Sequence, residues 1–378
     1  MNRFNTKRNE KGRVPSTTIA EVAKHAGVSP ATVSYVLSGN RAISQGTQLR
    51  VRRAIEELDY KPHAGARSLR AGKTDMIALV VPFYDWSSEP VLMPFVYGVV
   101  QAARQHGWNV VLVTSDGGSD VNSVVRGKMV DGVVLMEVRA GDERLAVVQR
   151  LAVPSVAIGM PLEPVNIPFV DLDFEAAGRA CVERLIGAGH EHIALLASPP
   201  GTFEKKLGYA RRFWHGVAST LEAEGLGFHG LPVEPTMEGT EKALDTLLAE
   251  EPKVTGLIVQ TEAVADLLIR VLQQRGKSIP DDFSIVGVAW GEAVRHLVPP
   301  LTFVNFPSLE IGRIAIELLA NNGPGTLLPA VFVEGATLGP AKKPFNSTCD
   351  RPAATCLDDS PVPSTIRTQS IDQHNKGG

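Results

Sequence analysis

Residues 18–38 read TIAEVAKHAGVSPATVSYVLS, and this stretch decides the architecture of the N-terminal region. Ile19, Val22, Ala23 and Ala26 recur at helical spacing and predict one apolar face of a first helix. Gly27 predicts its end, because glycine enters the left-handed conformation without steric cost. Ser29 predicts a cap for a second helix, with Pro30 at the first position, where its missing N–H costs nothing. Val33, Val36 and Leu37 give that helix an apolar side. Two short helices joined by a glycine turn form a helix-turn-helix, a unit whose second helix fits the major groove of duplex DNA. A third helix from about Thr47 to Asp59, with Val51, Ile55 and Leu58 inward and Ser44 as its cap, completes a small bundle that Pro62 ends.

The charge distribution agrees. Up to Lys73 the chain carries 14 Lys and Arg against 5 Asp and Glu; the remainder of its 378 residues carries 24 against 36. A basic head on an acidic body fits a module that neutralises phosphates, attached to one with another task. Cys181, Cys349 and Cys356 have neither the spacing of metal ligands nor that of a disulfide framework, which suits a reducing cytoplasm. Met1–Ser16 has no apolar core of a signal peptide, and no apolar run reaches membrane-spanning length.

From Met76 short apolar strands alternate with amphipathic helices. Strands are predicted at Ile77–Val81, Val110–Thr114, Gly132–Met136, Ser155–Ile158, Phe169–Asp171, Ile193–Ala197, Gly256–Gln260, Ser284–Val288 and Leu301–Asn305. Helices are predicted at Phe95–His106, Glu175–Ala188, Phe213–Glu224, Ala263–Arg275 and Leu309–Leu319. Near-continuous apolar strands between helices imply parallel sheets covered on both faces. So many strands imply two doubly wound halves, with a ligand cleft between them at the carboxyl ends of the strands. The fold class is therefore multidomain: an all-α headpiece with a hinge helix, joined to an α/β core of two doubly wound parallel-sheet subdomains. The expected segments are a disordered basic N-terminus (1–15), the headpiece (16–62), the hinge (63–73), the core (74–340) and a disordered tail (341–378). Within the core, the first subdomain takes 75–172 and 302–325, the second 173–301 and 326–340.

Several motifs occur in a telling order: Thr18-Ile19-Ala20-Glu21-Val22-Ala23, Ala26-Gly27-Val28-Ser29, Thr32-Val33-Ser34, Tyr60-Lys61-Pro62 and Ala66-Arg67-Ser68-Leu69 in the head and hinge. In the body follow Val130-Asp131-Gly132, Gly189-His190, Ile279-Pro280-Asp281-Asp282 and Pro299-Pro300-Leu301-Thr302. From Thr17 to about Pro340 the chain resembles the lactose-repressor/purine-repressor family of bacterial transcription factors, whose core is like that of periplasmic binding proteins. The resemblance implies that Pro30, Ala31 and Tyr35 meet base edges. Pro30 and Ala31 can only pack on a thymine methyl, while Tyr35 has one hydroxyl for a base edge or a phosphate. It implies that Ser29, Thr32, Ser34, Ser38, Ser44 and Thr47 hold the DNA backbone, contacts that fix register without reading sequence. It implies that Leu69, flanked by Ala66 and Arg67, wedges into the minor groove; packing of Leu69 on the body is the alternative. His63 and Gly65 weaken the hinge helix, so it is expected to fold on DNA.

In the cleft the family pattern thins. Gly216 fits a family glycine, but Phe213 stands at the position of a ligand-gripping arginine, with Arg212 beside it. Gln260-Thr261 replaces an asparagine-aspartate pair, and Ala289-Trp290 replaces aspartates. Asp173 matches a retained carboxylate, and Phe83, Asp85 and Trp86 follow the first strand of the body. An aromatic with carboxylates can stack on and hydrogen-bond a sugar; Trp86 and Trp290 as ordinary half-buried aromatics are the alternative. The implied function is a dimeric repressor on a palindromic operator, controlled by a small-molecule effector, a sugar or related metabolite. The other readings are a sugar-binding transport protein and an enzyme on the same α/β core. No phosphate loop or Gly-x-Ser-x-Gly elbow occurs, and no cofactor is expected. His190-Glu191-His192 reads as a turn before a strand rather than a metal site.

Overall fold

The computed structural model describes residues 17–38, 41–60, 73–84, 89–115 and 117–341. The expected hinge residues Ala66, Arg67 and Leu69, the cleft candidates Asp85 and Trp86, the side chain of Ser38, and the expectations for 1–15 and for the tail beyond Ala341 lie outside the described residues.

The headpiece helices are α1 (Ile19–Ala26), α2 (Pro30–Ser38) and α3 (Gln45–Glu57). Thr18 and Glu21 cap α1 reciprocally: the Glu21 N–H donates to Thr18 Oγ1 at 3.3 Å and the Thr18 N–H to Glu21 Oε2 at 2.6 Å. Gly27 ends α1 at φ 64°. The Ser29 hydroxyl accepts the Thr32 N–H at 3.1 Å, which seats Pro30 in the first turn of α2. Val22, Ala23, Ala26, Val33, Val51, Ala54 and Tyr60 close the core of the bundle. Two details differ from expectation. Leu37 turns outward and is 41% exposed, so the buried side of α2 is narrower than its apolar positions indicate. α3 starts at Gln45, and the Ser44 hydroxyl donates to Thr47 Oγ1 at 3.0 Å instead of capping a backbone N–H.

In the body, the strands are β1 (Met76–Val80), β2 (Asn109–Val113), β3 (Gly132–Leu135), β4 (Ser155–Ile158), β5 (Phe169–Leu172), β6 (Ile193–Ala197), β7 (His229–Pro232), β8 (Gly256–Val259), β9 (Ser284–Ala289), β10 (Thr302–Asn305), β11 (Thr326–Leu328) and β12 (Phe332–Val333). They form two six-stranded sheets, ordered β11-β5-β4-β3-β1-β2 and β12-β10-β9-β8-β6-β7. All pairings are parallel except that of β12 with β10. The expected subdomain boundaries need correction. Thr302–Asn305 lies beside β9 in the second sheet, and Thr326–Leu328 lies beside β5 in the first. The chain therefore passes between halves after β5, after β10 and after β11. A buried apolar strand announces that it is covered, not which sheet it joins.

The helices of the body are α4 (Glu89–Gln105), α5 (Gly118–Arg126), α6 (Glu143–Leu151), α7 (Phe174–Gly187), α8 (Pro200–Glu204), α9 (Gly208–Ala223), α10 (Met237–Glu250), α11 (Glu262–Gln274) and α12 (Ser308–Asn321). Each half holds one helix pair at backbone contact, licensed by glycines. A Cβ on Gly98 of α4 would lie 2.1 Å from the Leu309 carbonyl oxygen of α12, and one on Gly312 would lie 2.4 Å from that of Phe95. In the second half, a Cβ on Gly178 of α7 would lie 2.5 Å from the Phe213 carbonyl oxygen, and one on Gly216 of α9 would lie 2.2 Å from that of Glu175. The sequence landmarks have structural duties. Asp131 accepts the Thr74 and Asp75 N–H groups at the start of β1. His190 pairs with Thr255 Oγ1 at 2.8 Å and the Gly339 carbonyl at 3.2 Å, which accounts for the turn without a metal.

Candidate functional site

Two surfaces carry the chemistry. The first is the N-terminal end of α2. Because Val33 is buried and Val36 packs against the same core, the opposite side of the helix faces outward. Pro30, Ala31 and Tyr35 are exposed together on that side, with Ser29 at the helix start. The Arg41 guanidinium lies over the Tyr35 ring, 5.6 Å from its centroid, which adds a cation beside the side chain expected to meet a base edge. Thr32 is tied to Ser29 through a hydroxyl contact of 2.9 Å. Thr47 accepts from Ser44 and from Arg50, at 3.4 Å from the latter's Nη2, so hydroxyls and a guanidinium cluster at the start of α3. On α3, Glu57 draws in His25 at 2.7 Å and Arg53 at 2.8 Å, and these hydrogen bonds hold its pKa below the usual value.

The second is a cavity of about 350 Å³ at the carboxyl ends of the strands, walled by both halves of the body. The first half contributes Met136-Glu137-Val138 after β3, Ile158-Gly159 after β4, Asp171 on β5 and Phe95 on α4; the second contributes Thr202, Tyr209, Arg212, Gln260, Thr261, Glu262 and Phe306, among others. An ion pair crosses it. Arg212 of α9 donates through Nη2 to Asp171 Oδ2 at 2.9 Å and through Nη1 to the Met160 carbonyl at 3.1 Å. Asp171 also accepts the N–H groups of Met160 and Leu172, at 2.8 and 2.9 Å. Burial pushes the Asp171 pKa up, while Arg212 opposes that shift. Close to this pair the halves touch through backbone: Ala140 N–H to the Lys206 carbonyl at 3.1 Å and Gly208 N–H to that of Val138 at 3.3 Å.

Glu137 stands in the left-handed region at φ 53°. Arg144 fixes this loop by donating to the Met136 and Glu137 carbonyls, both at 2.9 Å, while its buried pair with Asp142 spans 2.6 Å. Desolvation raises the Glu137 pKa to about 7, with Arg144 opposing and Asp171 reinforcing. Glu262 is raised as well by burial, although it accepts the Trp290 N–H at 2.8 Å. Arg212 Nε and Thr261 Oγ1 are buried without a hydrogen-bond partner.

Comparison with known proteins fits both surfaces. Residues 18–63 match the model of bacterial regulatory proteins of the lacI family, and residues 182–330 match a periplasmic binding protein-like domain. The catabolite control protein A of Priestia megaterium is 31% identical over 313 residues, covering 80% of this chain and 92% of that protein. The HTH-type transcriptional regulator CelR of Thermobifida fusca is 32% identical over 314 residues, covering 80% and 91%. The chain belongs to the lacI family of bacterial regulatory proteins. Among solved structures, a complex of the transcriptional regulator CelR with cellobiose superposes with a TM-score of 0.62 at 28% identity, covering 85% of this chain and 99% of that one. The protein is thus a DNA-binding transcriptional regulator and not an enzyme. No helix among the described residues is long and apolar enough to cross a membrane.

Of the cleft candidates named from sequence, the regulator brings Arg212 and Gln260 into the cavity wall and leaves four others out. Asp173 is the cap of α7, accepting the Ala176 N–H at 2.9 Å; the carboxylate in the wall is Asp171, two residues earlier on the strand. Phe213 is wholly buried with Phe174, Cys181 and Val217, because the close approach of α7 and α9 encloses it. Trp290 meets the site only through its backbone N–H on Glu262, and Phe83 is 52% exposed outside the wall. Sequence reasoning missed Glu137, Tyr209 and Glu262. Glu137 carried a usable signal, since it is the first charged residue after the apolar run Gly132–Met136 and so falls at a strand's carboxyl end.

Proposed function

We propose that this regulator is a repressor that binds a palindromic operator as a homodimer in the cytoplasm. A small ligand in the cleft, a sugar or related metabolite, controls it. One headpiece reads half a site, so two-fold pairing suits a palindrome. The observation that carries the control is the cavity itself: both halves wall it and the Arg212–Asp171 pair spans it. A ligand there contacts both halves at once and changes their relative preference, and its differential affinity for the two arrangements sets the size of the response. The CelR–cellobiose complex supports a sugar as the ligand class. Base reading is assigned to Pro30, Ala31 and Tyr35, backbone contacts to Ser29, Thr32, Ser34, Ser38, Ser44 and Thr47, and minor-groove insertion to Leu69 with Ala66 and Arg67.

The test is selection of bound sequences from random duplex DNA by the full chain, followed by titration of metabolites into the bound complex. Recovery of a palindrome, and a change in its retention with one ligand, is expected. Failure to retain any sequence over competitor DNA at moderate salt overturns the reading. Loss of specific binding in Leu69→Ala with nonspecific binding unchanged is the signature of the wedge.

A further inference from the structure

The polar groups of the cavity divide into those the fold already uses and those it leaves to a ligand. Arg212 and Asp171 hold each other. Gln260 is occupied by the Ser198 N–H at 3.0 Å and the Ala210 carbonyl at 3.5 Å. What remains includes two carboxylates that, when ionised, can only accept. Among the described residues, neither the Glu137 carboxylate nor the Tyr209 hydroxyl has a hydrogen bond, and Glu262 accepts backbone N–H groups only. The unused donors there are Arg212 Nε, on a residue 9% exposed, and the Thr261 and Tyr209 hydroxyls, each of which can also accept.

The charge in the wall has the same bias. Glu137, Asp171 and Glu262 face a single cation, Arg212. Arg144 behind Glu137 is matched by Asp142, and Lys205 rests over the Tyr84 ring, 5.4 Å from its centroid. Burial raises the Tyr209 pKa, and Glu137, Glu262, Tyr84 and Asp171 lie near enough to raise it further. A run of aromatic rings lines the cavity: Phe95 to Phe306 at 5.3 Å, Phe306 to Phe174 at 5.3 Å, and Phe174 to Tyr209 at 5.6 Å. Ring faces attract cations, more strongly where water is excluded.

We infer that the cleft takes a hydroxylated amine of the amino-sugar class, its ammonium held by Glu137 and Glu262 and its hydroxyl oxygens by Arg212 and Thr261. The inference rests on the cleft being the effector site. A carboxylate or phosphate on the ligand would face unpaired negative charge, and a neutral sugar would leave that charge uncompensated. The ammonium pairs with ionised Glu137, whose pKa burial sets at about 7 against Arg144 and with Asp171. Affinity for the amine therefore rises about fivefold from pH 6 to pH 7 as that carboxyl ionises, whereas affinity for a neutral ligand stays flat.

The test is calorimetric titration of the full chain with matched series: glucosamine, glucose and glucuronate, then galactosamine, galactose and galacturonate. In at least one series the amine is expected to bind about tenfold more tightly than its neutral counterpart, the size of one charge-assisted hydrogen bond. Glu137→Gln should reduce the pH slope and Glu262→Gln should weaken the amine about tenfold, with thermal melting showing both variants folded. A neutral or anionic member that binds as tightly as its amine, or panels in which no amine binds, overturns the inference. Retention of the selected operator by the same preparation is scored separately, so the ligand class can fail while the regulator reading stands.

Discussion

Removing the Arg212 guanidinium tests the cleft most directly. Arg212 is 9% exposed and Asp171 4% exposed, with 2.9 Å between their charged atoms. In Arg212→Met the Asp171 carboxylate stays buried with only the Met160 and Leu172 N–H groups, and the Met160 carbonyl loses its donor. Breaking one side of a buried pair costs about 3–5 kcal/mol, a large share of the roughly 5–15 kcal/mol that holds a domain folded. The cost depends on pH in a stated direction. Burial already raises the Asp171 pKa and Arg212 opposes it, so the variant's folded state holds that proton to higher pH than its unfolded state does. Stability held through a raised pKa is lost as pH rises through the folded value, so the deficit grows from pH 5 to pH 7.5. Urea unfolding followed by tryptophan fluorescence at both pH values measures it. Asp171→Asn and the double variant complete a cycle, with an expected coupling of about 2–3 kcal/mol at pH 7.5. A deficit below about 1 kcal/mol at pH 7.5, or one equal at both pH values, refutes the reasoning.

Other changes give sharp outcomes. Gly216→Ala places a Cβ 2.2 Å from the Glu175 carbonyl oxygen, so α9 must back away from α7; a loss of about 1–3 kcal/mol in urea unfolding is expected, and Gly312→Ala should behave alike in the first half. Glu137→Gln should stabilise the regulator at pH 8 by up to roughly 3 kcal/mol and leave it unchanged at pH 4, because the wild-type carboxyl ionises near 4.5 when unfolded and near 7 when folded; melting curves at the two pH values decide it. Thr18→Ala removes a reciprocal cap and should lower headpiece stability by about 1 kcal/mol, read by hydrogen exchange in α1. Tyr35→Ala should lower affinity for the selected operator by about 1–3 kcal/mol in gel shifts while binding to random duplex stays the same.

The headpiece was legible because its signals are local: a cap, a glycine, a proline and apolar residues at helical spacing lie within one stretch. The nine strands foreseen each coincide with a strand of the fold to within a residue or so, since all are apolar and all but the half-exposed edge strand β2 are largely buried. The three strands not foreseen, β7, β11 and β12, are half-buried edges such as His229–Pro232, where little apolar pattern exists. The cleft was the least legible part. Arg212 and Gln260 were found by position in a motif, yet both spend hydrogen bonds on holding the fold, and the wall carboxylates Glu137 and Glu262 were missed. Nothing local to Phe213 reveals the glycine-mediated crossing that encloses it, a fact that arises from how distant segments meet; Asp173 is instead drawn away by a local cap three residues long.

The three passages of chain between the halves bear on how the protein is made. The first sheet receives its last strand only at Thr326–Leu328, after nearly all of the second sheet has been synthesised. A growing chain therefore possesses a finished headpiece long before either wall of the cleft is backed by a complete sheet. Premature termination anywhere between Lys73 and Thr326 yields a product with the whole headpiece sequence and an unfinished first sheet. Lesions early in the gene thus strike the headpiece itself, and later ones leave its sequence whole while taking the last strand from the first sheet.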